Sequence, residues 1–247
     1  MRRYLPFIII AAVLAIAVAS VLLLARTPKK ADGAQFESSN KTNAPQPGAS
    51  TKAAANQSGA SPYAPLGSSA PGAEPPHVRG AMSAPVTLEE FGDYQCPPCG
   101  ALHRELKKIE SEYGDRVRLI FRHYPITERH KNAMLAAQSA EAAGAQNRFW
   151  DMHDRIYETQ PDWAETENAR EIFTKYAREL GLDVERFKRD LDGMEANTRI
   201  NADRQRAQVM GVMGTPTLFV NNRQLKPEAM TPDMMRKAID YMLTPQK

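Results

Sequence analysis

The sequence predicts an α/β domain in which a βαβ unit, a block of helices and a closing ββα unit follow one another. Three observations predict it. The run Val86-Thr87-Leu88-Glu89-Glu90-Phe91 is strand-like and passes through a short turn into a helix-like run over 100–113. A tract with helical spacing occupies about 128–210. Thr217-Leu218-Phe219-Val220, the pair Asn221-Asn222 and Arg223-Gln224-Leu225 then read as a hairpin.

Each element has its own signal. Val117-Arg118-Leu119-Ile120-Phe121-Arg122-His123 alternates and is rich in β-formers, and Tyr124-Pro125 ends it. In the helical tract, 133–143 is alanine-rich, and 149–157 places Trp150, His153 and Tyr157 at helical spacing. The run 167–180 is stopped by Gly181, 184–191 is capped by Asp183, and 196–210 is a polar helix. Thr231-Pro232 starts a last helix expected to bury Met235, Ala238 and Met242. Met210 and Met213, ahead of the Gly214-Thr215-Pro216-Thr217 loop, are expected in the core, with the lining of an adaptable peptide groove as the alternative.

The domain occupies 77–247, with two different segments before it. Residues 1–26 read as an anchor: the uncharged run 5–25 is long enough to span a bilayer as a helix and longer than a secretory h-region. Cutting after Ala17-Val18-Ala19 would leave an apolar start, so an uncleaved anchor is favoured. Arg2 and Arg3 before the span nearly balance Arg26, Lys29 and Lys30 after it. Residues 27–76 are rich in Ala, Gly, Ser, Pro, Asn and Gln and cannot bury enough apolar surface to fold. They are expected to form a disordered linker with a reach of about 40 Å. Seven of the 32 basic and three of the 29 acidic residues precede His77, leaving the domain 25 against 26, so nothing in its charge asks for nucleic acid.

The chemistry concentrates in Cys96-Pro97-Pro98-Cys99, which holds both cysteines of the chain at the junction of strand and helix. A thiolate at a helix N-terminus meets unpaired N–H groups and the positive end of the macrodipole, so its pKa falls. A second cysteine three residues on can close a disulfide or resolve a mixed one. A structural zinc site needs four ligands. No further cysteine exists, and His77, His103, His123, His130 and His153 are scattered, with no ligand-pair spacing beside the motif. An inert disulfide would close a tiny loop and contribute little. A dithiol redox site is therefore expected, with no metal, and it sets the topology: an oxidised pair persists best outside the cytoplasm. The expected location is a single-pass cell-membrane anchor with the C-terminal domain outside, periplasmic or extracellular.

Phe91-Gly92-Asp93-Tyr94-Gln95-Cys96-Pro97-Pro98-Cys99, then Arg122-His123-Tyr124-Pro125, then Gly214-Thr215-Pro216-Thr217 resemble the DsbA-like family of exported thiol–disulfide oxidoreductases. Ala143-Gly144 followed by Phe149-Trp150 resembles the start of that family's inserted helical subdomain, and the resemblance covers about 85–243. It implies a thioredoxin-like fold with a helical insertion, preceded here by the membrane helix and the linker. It implies Cys96 as the exposed nucleophile, Cys99 as the buried resolving thiol and Pro216 as a cis-proline opposite the dithiol. Thr215 would offer backbone groups to an extended substrate peptide. Glu90 matches the acid beneath the dithiol, and strand alternation agrees, since Val86, Leu88 and Glu90 share one face. His103, on the helix face of Cys96, is expected to pack or lie at the surface rather than react. No cofactor beyond the Cys96–Cys99 disulfide is implied.

Two positions depart from the best-known oxidases of that family. Pro98 stands where they carry histidine and supplies neither its donor nor a backbone N–H, so the Cys96 pKa should be depressed less. Thr215 stands where they carry valine. The reading favoured is a membrane-tethered oxidase of exported protein thiols, reoxidised by a quinone-reducing membrane partner. The alternatives are a reductase or isomerase kept reduced from the membrane, and a Cu(I)-binding protein using the CxxC pair with nearby methionines. With a linker in place of a dimerisation domain, a monomer is expected.

Overall fold

The computed structural model describes residues 72–244. The predicted membrane span and the linker up to residue 71 lie outside the described residues. No helix among the described residues is long and apolar enough to cross a membrane.

In chain order the elements are β1 (His77–Gly80), β2 (Val86–Gly92), α1 (Pro97–Tyr113), β3 (Val117–His123), α2 (Ala133–Gly144), α3 (Phe149–Glu158), α4 (Gln160–Trp163), α5 (Ala169–Glu179), α6 (Val184–Leu191), α7 (Met194–Val209), β4 (Thr217–Val220), β5 (Arg223–Gln224) and α8 (Pro232–Leu243). The sheet order is β1-β3-β2-β4-β5. The central pair β2 and β3 is parallel, from Val86 opposite Val117 to Gly92 opposite His123, and β4 runs antiparallel to β2. This is the thioredoxin-like arrangement, with α2 to α7 inserted between β3 and β4.

Period-two alternation sorts the strand side chains onto two faces. Val86, Leu88, Val117 and Leu119 pack with Leu102, Leu106 and Ile109 of α1 and with Met235 and Ile239 of α8. On the other face Phe91 and Phe219 meet Ala207 of α7, Met210 and Val212. The inserted helices have their own core: Ala136, Ala137 and Ala140 of α2 present a smooth face to Met152, Ile156, Phe173 and Phe187, and Trp163 of α4 closes it. Cys96, Cys99 and Tyr94 belong to the core of the insertion, so the dithiol lies on the seam between sheet and insertion.

The hairpin turn is as read: Asn221 and Asn222 have φ of 47° and 64°, which asparagine adopts readily. The Asp183 side chain caps α6 by accepting from the Arg186 N–H at 2.9 Å. In α8 the buried face is Met235 and Ile239, with Ala238 and Met242 half-buried, which corrects the expected stripe by one position. The strand β1 is not legible in the sequence. It is four residues long, half-buried except for the exposed Gly80, and exists because it pairs antiparallel with β3. Met210 is core, but Met213 is 94% exposed; with Gly211 at φ 72° behind it, the chain turns away from α7 and carries Met213 outward.

The boundary at His77 needs correction. Residues 72–76, assigned by composition to the linker, are bound to the domain. Ala73 is buried, its N–H donates to Asp203 at 2.9 Å and its carbonyl accepts from Arg122 at 2.8 Å. Arg199 donates to the Glu74 and Pro75 carbonyls at 3.2 and 2.9 Å. A composition poor in large apolar residues signals disorder only when no partner is waiting; here α7 and β3 supply charged donors and acceptors for the backbone.

Candidate active site

Asp93 builds the turn that carries Cys96. Its carboxylate accepts from the Gln95 N–H at 2.8 Å and the Ile126 N–H at 2.8 Å and pairs with His130 at 2.7 Å. Its carbonyl accepts from the Cys96 N–H at 3.1 Å. Cys96 is then the N-cap of α1, in extended conformation, with Pro97 and Pro98 as the first helical residues. Proline fits there because those N–H groups would have no intrahelical partner. The first N–H groups of the helix are therefore those of Cys99 and Gly100, both donating to the Cys96 carbonyl at 3.0 and 3.2 Å.

Cys96 and Cys99 stand as free thiols. Cys99 is wholly buried, whereas Cys96 keeps 6% of its surface, less than the exposed nucleophile implied by resemblance. The loop before β4 causes this: the Cys96 thiol donates to the Thr215 carbonyl at 3.5 Å. The two pKa values move apart. The hydrogen bond from the Cys99 thiol, aided by the Cys99 backbone N–H, lowers Cys96 to about 6 against the opposing effect of burial. Burial, then the hydrogen bond to Cys96 and the nearby Glu90, push Cys99 well up. One sulfur is ionised near neutral pH and the other holds its proton, as stepwise exchange requires.

The Thr215–Pro216 peptide bond is cis. The Thr217 hydroxyl donates to the Gly214 carbonyl at 2.8 Å and steadies the loop. Between this loop and α1 runs a groove of about 710 Å³ lined by Pro98, Ala101, Leu102, Met213, Thr215 and Pro216 among others.

Glu90 lies on the α1 face of β2, 1% exposed, with both carboxylate oxygens lacking a hydrogen-bond partner. Burial raises its pKa to about 8, against the pull of Arg79. Glu89, the residue before it, is also buried rather than at the surface. It faces the other side and is ion-paired with Arg122 and Arg206 at 2.8 Å each, which keeps its pKa low despite burial.

The structure gathers four of the five histidines that look scattered in sequence. Among the described residues, His77, His123 and Glu141 converge, as do His103, His153 and Asp154. Each group already has its cations: Arg199 on Glu141 at 2.8 Å, and Arg79 and Lys107 on Asp154 at 2.8 and 2.6 Å. They are structural ion-pair clusters, and His103 is a buried packing residue as expected. Sequence reasoning missed three further side chains that grip the active-site turn. Gln95 donates to the Ala164 carbonyl at 2.6 Å and accepts from the Asn132 N–H at 2.7 Å, and Gln160 donates to the Tyr94 carbonyl at 2.6 Å. Asp93 had a signal, an Asx turn two residues before an N–H it accepts; the amides had none.

A family model described as thioredoxin matches residues 73–241. The Na(+)/H(+) antiporter NhaA 1 of Salinispora arenicola is 38% identical over 148 residues, which are 60% of this chain and 22% of the antiporter. The chain thus spans about a fifth of the length of the curated relatives it matches. Among solved structures, oxidised BdbD from Bacillus subtilis is 28% identical, with a TM-score of 0.62 covering 70% of this chain and 95% of that one. The thiol-disulfide exchange protein alpha-DsbA2 from Wolbachia pipientis shares the fold, at 22% identity and a TM-score of 0.58 over 68% of this chain and 87% of that one. Fold and sequence together define a thioredoxin-like domain with a Cys96–Cys99 pair at the N-terminus of α1. The chain belongs to the thioredoxin family.

Proposed function

We propose that this chain is an exported, membrane-tethered oxidase of protein thiols that works by disulfide exchange through Cys96 and Cys99. The observation that carries the reading is the split pair at the N-terminus of α1: Cys96 lowered to about 6 beside a buried Cys99 pushed well up. A low nucleophile pKa stabilises the reduced form and so makes the disulfide oxidising. In the cycle, a substrate thiolate attacks Cys96 of the disulfide, the Cys96–Cys99 bond breaks, and Cys99 leaves as a thiolate that takes a proton from Glu90. A second substrate thiolate attacks the substrate sulfur of the mixed disulfide and releases Cys96. Two electrons pass from substrate to dithiol, and a quinone-reducing membrane partner removes them. Thr215 and Pro216 present the backbone edge along which an extended peptide adds. Tethering rests on the uncharged run 5–25, and placement outside the cytoplasm on the persistence of an oxidised pair there. The antiporters' ion exchange forms no part of the proposal, since the match covers 22% of that protein.

The test is the dithiol potential against glutathione. An oxidase should lie above about −200 mV, whereas a value near thioredoxin's, about −270 mV, would reverse the proposed direction to reduction.

A further inference from the structure

Gln160 opens α4, in the inserted helical block, yet its side chain ends on the active-site turn. Its Nε2 donates to two carbonyls, Tyr94 at 2.6 Å and Cys96 at 3.0 Å. Two acceptors on one end of the amide identify that end as the NH2. The other end lies over Gly100 in the first turns of α1. A Cβ at Gly100 would stand 2.9 Å from Gln160 Oε1 and 3.3 Å from its Cδ. Gly100 is buried in a helix and its φ is not positive, so the backbone does not call for glycine. Helix propensity disfavours glycine there. What glycine supplies is room for the amide.

The contact falls on a carbonyl of consequence. The Cys96 carbonyl already accepts from the Cys99 and Gly100 N–H groups at 3.0 and 3.2 Å, so Gln160 is a third donor on the atom from which α1 starts. Tyr94 and Cys96 flank Gln95, whose own side chain is tied to Ala164 and Asn132 at 2.6 and 2.7 Å. The helical block thus holds the backbone on both sides of the nucleophile.

We propose that Gln160 is a positioning residue for Cys96, and that Gly100 is glycine because it admits the Gln160 amide to the dithiol turn. Held this way, the Cys96 sulfur stays aligned with the Cys99 thiol and N–H that stabilise its thiolate. Without the grip the turn relaxes and that alignment is lost. The inference rests on the redox reading of the dithiol but concerns Cys96 itself.

The test uses Gln160→Leu, Gly100→Ala and the double variant in the full-length chain, reduced. Thiolate absorbance against pH and the rate of reaction with a small disulfide at pH 6 are read beside urea unfolding. Each single variant is expected to move the Cys96 titration up by about one unit and to slow the reaction about fivefold at pH 6. Gly100→Ala should do so with a smaller fall in unfolding midpoint than Gln160→Leu, since alanine favours the helix, whereas a merely structural role would tie the titration shift to the loss of stability. The double variant should show no larger shift than either single one, because both remove the same contact. Wild-type titration in Gly100→Ala, or additive shifts in the double variant, would overturn the proposal. A wild-type potential near thioredoxin's would remove the oxidase reading and leave this one standing, because titration and small-disulfide reactivity do not depend on the direction of physiological exchange.

Discussion

Glu89 and Glu90 show how little a residue's type says about its state. They are neighbours on β2 with opposite fates: one ion-paired on the α7 face, the other buried without a partner beneath α1. Glu90 is raised to about 8, so between its unfolded value near 4.5 and about 8 the folded state binds the extra proton. Stability from that proton is full below 4.5 and is lost as pH rises through about 8. Glu90→Gln removes the titration at constant shape. The variant should match wild type at pH 4 and exceed it by up to about 4 kcal/mol at pH 8 in urea unfolding of the reduced protein. Equal stabilities at pH 8 would mean that the carboxylate finds a partner. Exchange should slow in the same variant at the step that protonates or deprotonates Cys99. For the cysteines, Cys99→Ser should trap substrate as a mixed disulfide on Cys96, and Cys96→Ser should trap none; adducts resolved on a non-reducing gel decide it, and the reverse pattern would swap the roles. Pro98→His should lower the Cys96 titration, because histidine restores a donor beside the sulfur and a backbone N–H. At this scale the placement of Cys96, Cys99, Thr215, Pro216 and Glu90 was legible, since each carries a motif or a strand position. The Gln95 and Gln160 amides were not, because their partners are backbone carbonyls and N–H groups, some of them more than 60 residues away in sequence.

At the scale of elements, what the sequence announces is what folds by its own pattern. The strands over Val117–His123 and Thr217–Val220 and the capped helix Val184–Leu191 coincide with their sequence readings to the residue. Two elements had no signal. The strand β1 is four half-exposed residues ending in glycine, and α4 is a single turn containing Pro161; both are held by tertiary contacts. The same explains α7, whose sequence reads as polar. Its buried stripe is Ala196, Ile200, Asp203 and Ala207, with Asp203 only 1% exposed. That carboxylate accepts from the Ala73 and His123 N–H groups at 2.9 and 3.1 Å and pairs with Arg122 at 3.0 Å. Asp203→Ala would leave a buried guanidinium short of one partner and two backbone donors without any. A loss of about 3–5 kcal/mol is expected from the urea midpoint, with the dithiol potential unchanged because the network lies on the sheet face away from α1. A loss under 1 kcal/mol would show that Glu89 alone neutralises Arg122.

For the whole molecule, the question is where the folded domain begins. Composition places the boundary at His77, but residues 72–76 carry hydrogen bonds that the domain cannot replace. Cutting before His77 removes the Ala73 N–H from Asp203, the Ala73 carbonyl from Arg122 and two carbonyls from Arg199. The buried Asp203 and Arg122 would each be left short of a partner, a cost of about 1–3 kcal/mol. A chain starting at Gly72 keeps all four bonds. It should therefore unfold at the same urea midpoint as the full-length chain and exchange thiols at the same intrinsic rate. A chain starting at His77 should unfold at a lower midpoint, yet keep the rate, because none of the lost bonds touches Cys96, Cys99, Glu90 or the Thr215–Pro216 loop. Urea unfolding and peptide-oxidation rates of the two truncations, set beside the detergent-solubilised full-length protein, separate the cases. Equal midpoints for both truncations would give residues 72–76 no net weight in the fold. A lower rate in the chain starting at Gly72 would mean that residues 1–71 contribute to the reaction, and the division between a redox domain and a segment concerned with location would fail.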